Sequence, residues 1–246
     1  TAWNGLAITG LAEAGRLLGE PRYIAAAQRT ADFLLRELRG PGGELLRTYK
    51  QGTAKLPATL DDHAFVAEGL FYLASASGNL DYLTAALALT DEALVRFYDA
   101  EKGLFFLGPA ATGGVTLVTR PVSLFDSAIP SGLSVICMNL LRLGALADDE
   151  RRARYQQIAE TTLLRHTEQA SRNPGGMSNL LAALDLWQNG LTLTVIIEGE
   201  GEGEGEASAA ATALHRASLA RYVPDHFVLR CRPGQAVPPP FAALLV

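Results

Sequence analysis

Residues 4–38 read NGLAITGLAEAGRLLGEPRYIAAAQRTADFLLREL, and this stretch decides the fold. Its first half is apolar on nearly every turn, as expected of a helix covered on most of its surface. Asn4 is a good N-cap residue, and Gly19-Glu20-Pro21 ends the run, predicting a helix over 4–18. Residues 22–38 alternate differently. Ile24, Ala27, Ala31, Leu34, Leu35 and Leu38 recur at helical spacing while Arg and Glu take the other side. One inner helix followed by one amphipathic outer helix makes a hairpin.

The same grammar returns twice. Tyr-x-x-x-Ala marks the outer helices at Tyr23/Ala27, Tyr82/Ala86 and Tyr155/Ala159, and each has a more apolar run upstream, headed by Asn4, Asp62 or Ser131. A self-similar period of about 60–70 residues predicts stacked hairpins rather than an irregular globule. The predicted helices are 62–77 and 80–98, then one from Ser131 with its partner at 149–167, and a short one at 177–188. Strand-like pieces fall at 45–49 and 103–107. After Asn189-Gly190 the pattern changes to LTLTVII (191–197), a Gly/Glu alternation (199–206), a helical 207–222, a strand-like 227–230 and a Pro-rich 237–240 expected to be extended. The expected division is a helical-hairpin portion over 1–190 and a β-α-β appendage with a Pro-rich tail over 191–246. The fold class is mainly α, part of an (α/α) toroid.

Composition agrees with helices packed on helices. The 246 residues are 48% hydrophobic and 19% charged, with net charge −5 and no large Lys/Arg cluster, which argues against a nucleic-acid surface or an anionic-membrane patch. No apolar run reaches membrane-spanning length. Cys137 and Cys231 are the only cysteines and form no CxxC; Cys137, inside an apolar helical run, reads as a buried thiol. Two cysteines fit a reducing compartment, and the cytoplasm is the expected location. Residue 1 is Thr, and three and a half hairpins leave inner helices bare at one flank. An upstream portion of the same protein is therefore expected to complete the barrel, and the chain alone is expected to associate or aggregate.

Trp3-Asn4-Gly5-Leu6, Leu60-Asp61-Asp62-His63-Ala64-Phe65 and Asp126-Ser-Ala-Ile-Pro130-Ser131-Gly132, with Asn139-Leu-Leu-Arg-Leu143 downstream, resemble the YyaL-type proteins. These are also called spermatogenesis-associated protein 20-like, thioredoxin-domain-containing proteins. The resemblance covers nearly the whole chain. It implies an (α/α)6 barrel related to N-acylglucosamine 2-epimerases and six-hairpin glycosidases, preceded by a thioredoxin-like domain that these residues do not include. Two positions depart from the family pattern: His63 stands where Tyr is usual, and Leu133 where Asn is usual.

An array of hairpins brings its inner-helix starts to one end. The expected site is there, with Asp61, Asp62, Asp126 and His63 as catalytic candidates and Trp3, Asn4, Arg120 and Ser131 as substrate-binding candidates. Two carboxyls with unequal pKa values can work as general acid and base on a glycosidic bond or a sugar carbon. Asp at a helix start is also an ordinary cap, so Asp61 and Asp126 are the stronger candidates if Asp62 and Ser131 do the capping. His63 can shuttle a proton or simply be a hydrogen-bonded structural histidine. Trp3, Tyr49, Phe105 and Phe106 can stack on sugar faces or pack internally, and Arg120 can hold an anionic substituent or pair with a carboxylate. His166, His215 and His226 read as structural or surface groups. No His pair has metal-ligand spacing, and no metal or cofactor is assigned. The glutamates of the Gly199–Gly205 stretch would repel a pyrophosphate, which makes it a solvated loop rather than a dinucleotide cradle. Two functions follow: a carbohydrate-active enzyme of the epimerase/isomerase or glycosidase kind, or a non-catalytic sugar-binding or interaction scaffold attached to the upstream domain.

Overall fold

A computed structural model describes residues 1–109, 111–112, 115–116, 119–198, 204–219, 222–232, 234–235 and 237–244. Helices α1 (Ala2–Leu18) and α2 (Pro21–Glu37) form the first hairpin, α3 (Leu60–Ser77) and α4 (Asp81–Phe97) the second, α5 (Gly132–Gly144) and α6 (Asp149–Arg172) the third. A 3-10 turn (Pro174–Met177) leads into α7 (Ser178–Asn189), the inner helix of a fourth unit. Between hairpins lie antiparallel strand pairs: β1 (Leu46–Lys50) with β2 (Thr53–Pro57), β3 (Tyr98–Asp99) with β4 (Leu104–Phe105), and β5 (Ala111–Thr112) with β6 (Val115–Thr116). The C-terminal unit is β7 (Thr192–Ile197), α8 (Glu204–Leu219) and β8 (His226–Cys231), the two strands pairing in parallel. This is part of an (α/α) toroid with a small β-α-β unit, as the repeat implied.

The inner helices stand in the order α1, α3, α5, α7, each against the next. α3 is the most enclosed, with Phe65, Val66, Leu70, Phe71 and Leu73 all buried, because it has neighbours on every side. Close approach of α1 and α3 depends on glycine. A Cβ on Gly5 would lie 2.5 Å from the carbonyl carbon of Phe65, and one on Gly69 would lie 2.8 Å from the carbonyl oxygen of Gly5. Gly15 meets the side chain of Ile24 of α2, whose Cγ1 would lie 2.6 Å from a Cβ there, whereas Gly10 of α1 has nothing within 4 Å.

The repeated tyrosines join consecutive outer helices. Tyr82 of α4 donates to Asp32 of α2 (2.9 Å), and Tyr155 of α6 donates to Asp91 of α4 (2.8 Å). Burial and the neighbouring carboxylate push the Tyr82 phenol up to about 12. Ala86 and Ala159, the alanines of the motif, are fully buried.

The β-α-β unit lies against the C-terminal ends of the inner helices. Ser75 of α3 bonds Val228 of β8, Phe71 packs on Phe227 at 5.2 Å between ring centroids, and the buried Arg142 of α5 holds Asp225 (2.6 Å) and Glu68 (2.8 Å). Cys137 and Cys231 are buried free thiols, and burial pushes Cys137 up to about 12.

Several boundaries differ from the sequence reading. α1 begins at Ala2 and α3 at Leu60, so Asn4 and Asp62 lie inside the first turns rather than at the caps. α6 continues to Arg172. The tail is not extended throughout: Pro239–Leu244 winds into a 3-10 turn that buries Phe241. Residues 199–203 of the Gly/Glu stretch lie outside the described residues.

Candidate functional site

The N-termini of the inner helices gather four of the singled-out polar side chains, and the fold uses most of them. The chain segment Thr59-Leu-Asp-Asp62 is a capping box: Thr59 is the N-cap of α3, and Asp62 reaches back to the Thr59 N–H (2.8 Å) and accepts from its hydroxyl (2.9 Å). The other oxygen of Asp62 accepts the Ala2 N–H at 2.8 Å, satisfying the start of α1 from a neighbouring helix. That is why Asn4 is not needed as a cap; its side chain is exposed.

Asp126 performs the matching task between α5 and α7. One oxygen accepts from the Ser131 N–H (2.8 Å) and the Ser134 hydroxyl (3.2 Å), the other from the Asn179 N–H (2.8 Å). Ser131 is the N-cap of α5, its hydroxyl accepting from the Ser134 N–H at 3.2 Å, as the repeat alignment implied.

Asp61 is different. Its Oδ1 is buried and has no hydrogen-bond partner among the described residues. Burial, and then the charge of Asp62, hold its carboxyl above the usual aspartate range. The Gly132 amide offsets part of that rise by proximity, without a formed hydrogen bond at Oδ1. Gly132 must be glycine for this approach, since a Cβ there would sit 2.1 Å from Asp61 Oδ1. An unpartnered, up-shifted carboxyl beside one whose lone pairs are filled is the division of labour expected of an acid and its electrostatic neighbour.

The remaining candidates are placed as follows. His63 points between α3 and α4: its Nδ1 lies 2.9 Å from the Thr59 carbonyl oxygen, its Nε2 is 3.1 Å from Glu92, and its ring meets Phe97 edge-on. The Nε2–Glu92 contact is close but not aligned as a hydrogen bond. With the Leu45 amide also on Glu92, His63 belongs to a network that ties the second hairpin to the segment just before β1. Arg120 donates to the carbonyl oxygens of Gly108 (2.8 Å) and Arg96 (3.1 Å) and lies 4.1 Å over the Phe106 ring, so it braces its own loop rather than a carboxylate. Phe105 is buried against Tyr98. Trp3 is 77% exposed, which leaves its ring open to stacking.

Sequence reasoning passed over the rest of the rim. Leu56 at the end of the β1–β2 hairpin and Phe125 beside Asp126 are 59% and 55% exposed; Tyr49 of β1, already a stacking candidate, stands edge-on to Phe33 of α2. Leu56 also has φ 64°, a strained value for leucine and most unusual before proline. Asn179, which meets both Asp126 and Ser134, was missed because it starts a helix far along the chain.

Known proteins bear on these residues at this point. Spermatogenesis-associated protein 20 from Homo sapiens is 32% identical over 209 residues, spanning 79% of this chain. The chain belongs to the spermatogenesis-associated protein 20-like family. An uncharacterized Caenorhabditis elegans protein is 29% identical over 80% of the chain. The chain spans only about a quarter of the length of these relatives, 25% of the human protein and 27% of the nematode one. Among solved structures, a GH76 α-mannanase from Bacteroides thetaiotaomicron superposes with a TM-score of 0.59, at 16% identity, over 93% of this chain and 61% of that one. At that identity the likeness concerns the fold, a glycosidase-like α/α toroid. No protein-family model matches the sequence. Within this family member, no helix among the described residues is long and apolar enough to cross a membrane.

Proposed function

We propose that the inner-helix N-terminal end is a carbohydrate-processing site in which Asp61 is the general acid. One observation carries the reading: of the three aspartates gathered there, Asp62 and Asp126 spend both oxygens on backbone amides, while Asp61 keeps a buried oxygen free and its carboxyl above the ordinary range. A carboxyl held above the ordinary aspartate range keeps its proton to higher pH than a free aspartate and can deliver it to a glycosidic oxygen or a sugar carbonyl. The exposed rings of Trp3 and Phe125 and the Leu56 side chain supply apolar faces of the kind sugars stack on. The glycosidase-like fold supports the sugar assignment by analogy only.

The site as seen is one side of a ring. Trp3, Ala7, Gly10 and Leu18 of α1 are exposed along one helix flank, and Gly10 has open space where Gly5 and Gly15 have close neighbours. In this reading polypeptide outside residues 1–246 covers that flank and supplies the second carboxylate or base.

The test is turnover of aryl glycosides and reducing sugars by the protein and by its Asp61→Asn and Asp126→Asn variants. Loss of a general acid lowers turnover about 10²–10⁴-fold, so Asp61→Asn is expected to fall by that factor while still binding sugar. Unchanged turnover in Asp61→Asn overturns the assignment. The second reading, a sugar-binding or interaction scaffold attached to an upstream thioredoxin-like domain, is favoured by the consumption of Asp62, Asp126, Ser131 and Arg120 in structural bonds. It predicts sugar binding with no turnover by any variant.

A further inference from the structure

The parallel pair β7–β8 is covered on both faces. Ile196 and Val228 pack with Ala211 and Leu219 of α8, while Leu193 and Val195 lie against the hairpin core that holds Phe227 and Leu229. Its two edges are treated unequally. On the outer edge of β8, the Val228 N–H and C=O both bond the Ser75 hydroxyl, at 2.9 and 3.4 Å. On β7, the Thr192 N–H donates to the Asp225 carbonyl and the Glu198 N–H to the Cys231 carbonyl. Ladder peptides alternate in direction along a strand, so the even-numbered residues of β7 face β8. The peptide groups of Leu193, Val195 and Ile197 face outward, and no described residue bonds them.

An open edge is normally defended by a lysine, a proline or a bulge. The β7 sequence TLTVII has none of these, and its pairing with β8 is regular throughout. The acid that follows, Glu198, is neutralised within the chain by Arg230 and Arg232. A strand that adds to this edge continues a sheet with α8 on one side and the hairpin ends on the other, which favours an uncharged, largely apolar one. β7 itself is uncharged throughout, apolar at Leu193 and Val195 on the hairpin side and carrying Ile196 with two small threonines on the α8 side, and so suits this edge.

We propose that β7 is a self-association edge, on which β7 of a second copy pairs antiparallel about a two-fold axis through Val195. Val195 then meets its own counterpart and Leu193 meets Ile197 of the second copy. Each such pair exchanges two backbone hydrogen bonds, and the two-stranded sheets merge into one of four strands. A ladder this short falls at the small end of specific interfaces, which places association on the order of micromolar.

Sedimentation of the 246-residue chain across a wide concentration range, with hydrogen exchange at both ends of it, tests the proposal. Val195→Pro removes an outward N–H and no β7–β8 ladder bond; Ile197→Lys places an edge charge on an already exposed residue. Wild type is expected to dimerise, with the Leu193, Val195 and Ile197 amides protected only at high concentration. Both variants are expected to keep their far-UV spectrum and to raise the dissociation constant by about tenfold or more. A wild type that stays monomeric with these amides exchanging freely overturns the proposal. So does a dimer that neither variant weakens, which would place the contact elsewhere, for example on the Gly10 flank of α1.

Discussion

Gly5 and Gly10 lie on the same helix, and alanine should affect them with opposite sign. At Gly5 the added Cβ falls 2.5–2.6 Å from three backbone atoms of Phe65 and Val66, against 3.4 Å for ordinary contact, so α1 and α3 must part by most of an ångström. Backbone atoms cannot swing aside as a side chain can, which puts the cost at the upper end of overpacking, about 3 kcal/mol. Removing a helix-interior glycine returns about 1 kcal/mol. Gly5→Ala is therefore expected to lose about 2 kcal/mol, or roughly 4–8 °C in Tm for a chain of this size. Gly10→Ala meets nothing within 4 Å and keeps only the propensity gain, about 1 kcal/mol. Urea unfolding followed by circular dichroism, with both variants beside wild type, measures the difference. Shifts of the same sign, or a neutral Gly5→Ala, would refute the account of how α1 seats on α3.

Two further outcomes follow from named contacts. Asp61 has its carboxyl raised by burial and by Asp62, so the folded chain holds that proton more tightly than the unfolded one. Ionising it costs stability as pH rises above the ordinary aspartate value, and Asp61→Asn should be more stable than wild type at neutral pH, with the gain fading below about pH 4; a pH-independent difference would show that the carboxyl is not strained. For Tyr155 and Asp91, a double-mutant cycle with Tyr155→Phe and Asp91→Asn is expected to give a coupling of about 1 kcal/mol, since a buried phenol donates to a half-buried carboxylate. A coupling near zero would make that bond incidental.

The architecture was legible because it is local. Helix spacing, the Gly19 and Gly78 terminators and the change of period after Gly190 are read within a few residues of one another. The site was legible in place but not in roles. Aligning Asn4, Asp62 and Ser131 as equivalent caps holds for Ser131 alone, because α1 takes its cap from Asp62 of the next helix. Thr59-x-x-Asp62 was a readable capping-box signal and would have placed the start of α3 at Leu60. By contrast, the link from Asp126 to Asn179 and the Gly132–Asp61 approach join residues that only the packed helices bring together. The tail differed because Phe241 finds a buried place, and that outweighs the extended preference of Val237–Pro240.

The phenol–carboxylate bonds between outer helices have a direction in time as well as in space. In both, the tyrosine belongs to the later hairpin and the carboxylate to the earlier one: Tyr82 reaches back to Asp32, and Tyr155 to Asp91. The lash at the other end also joins a later hairpin to an earlier one, but with the roles exchanged, Asp62 accepting an amide already made at Ala2. A polypeptide leaving the ribosome can therefore tie each hairpin, as it emerges, to the one already released, the earlier carboxylate standing ready for the later phenol. The array is wired to be assembled from its N-terminal side.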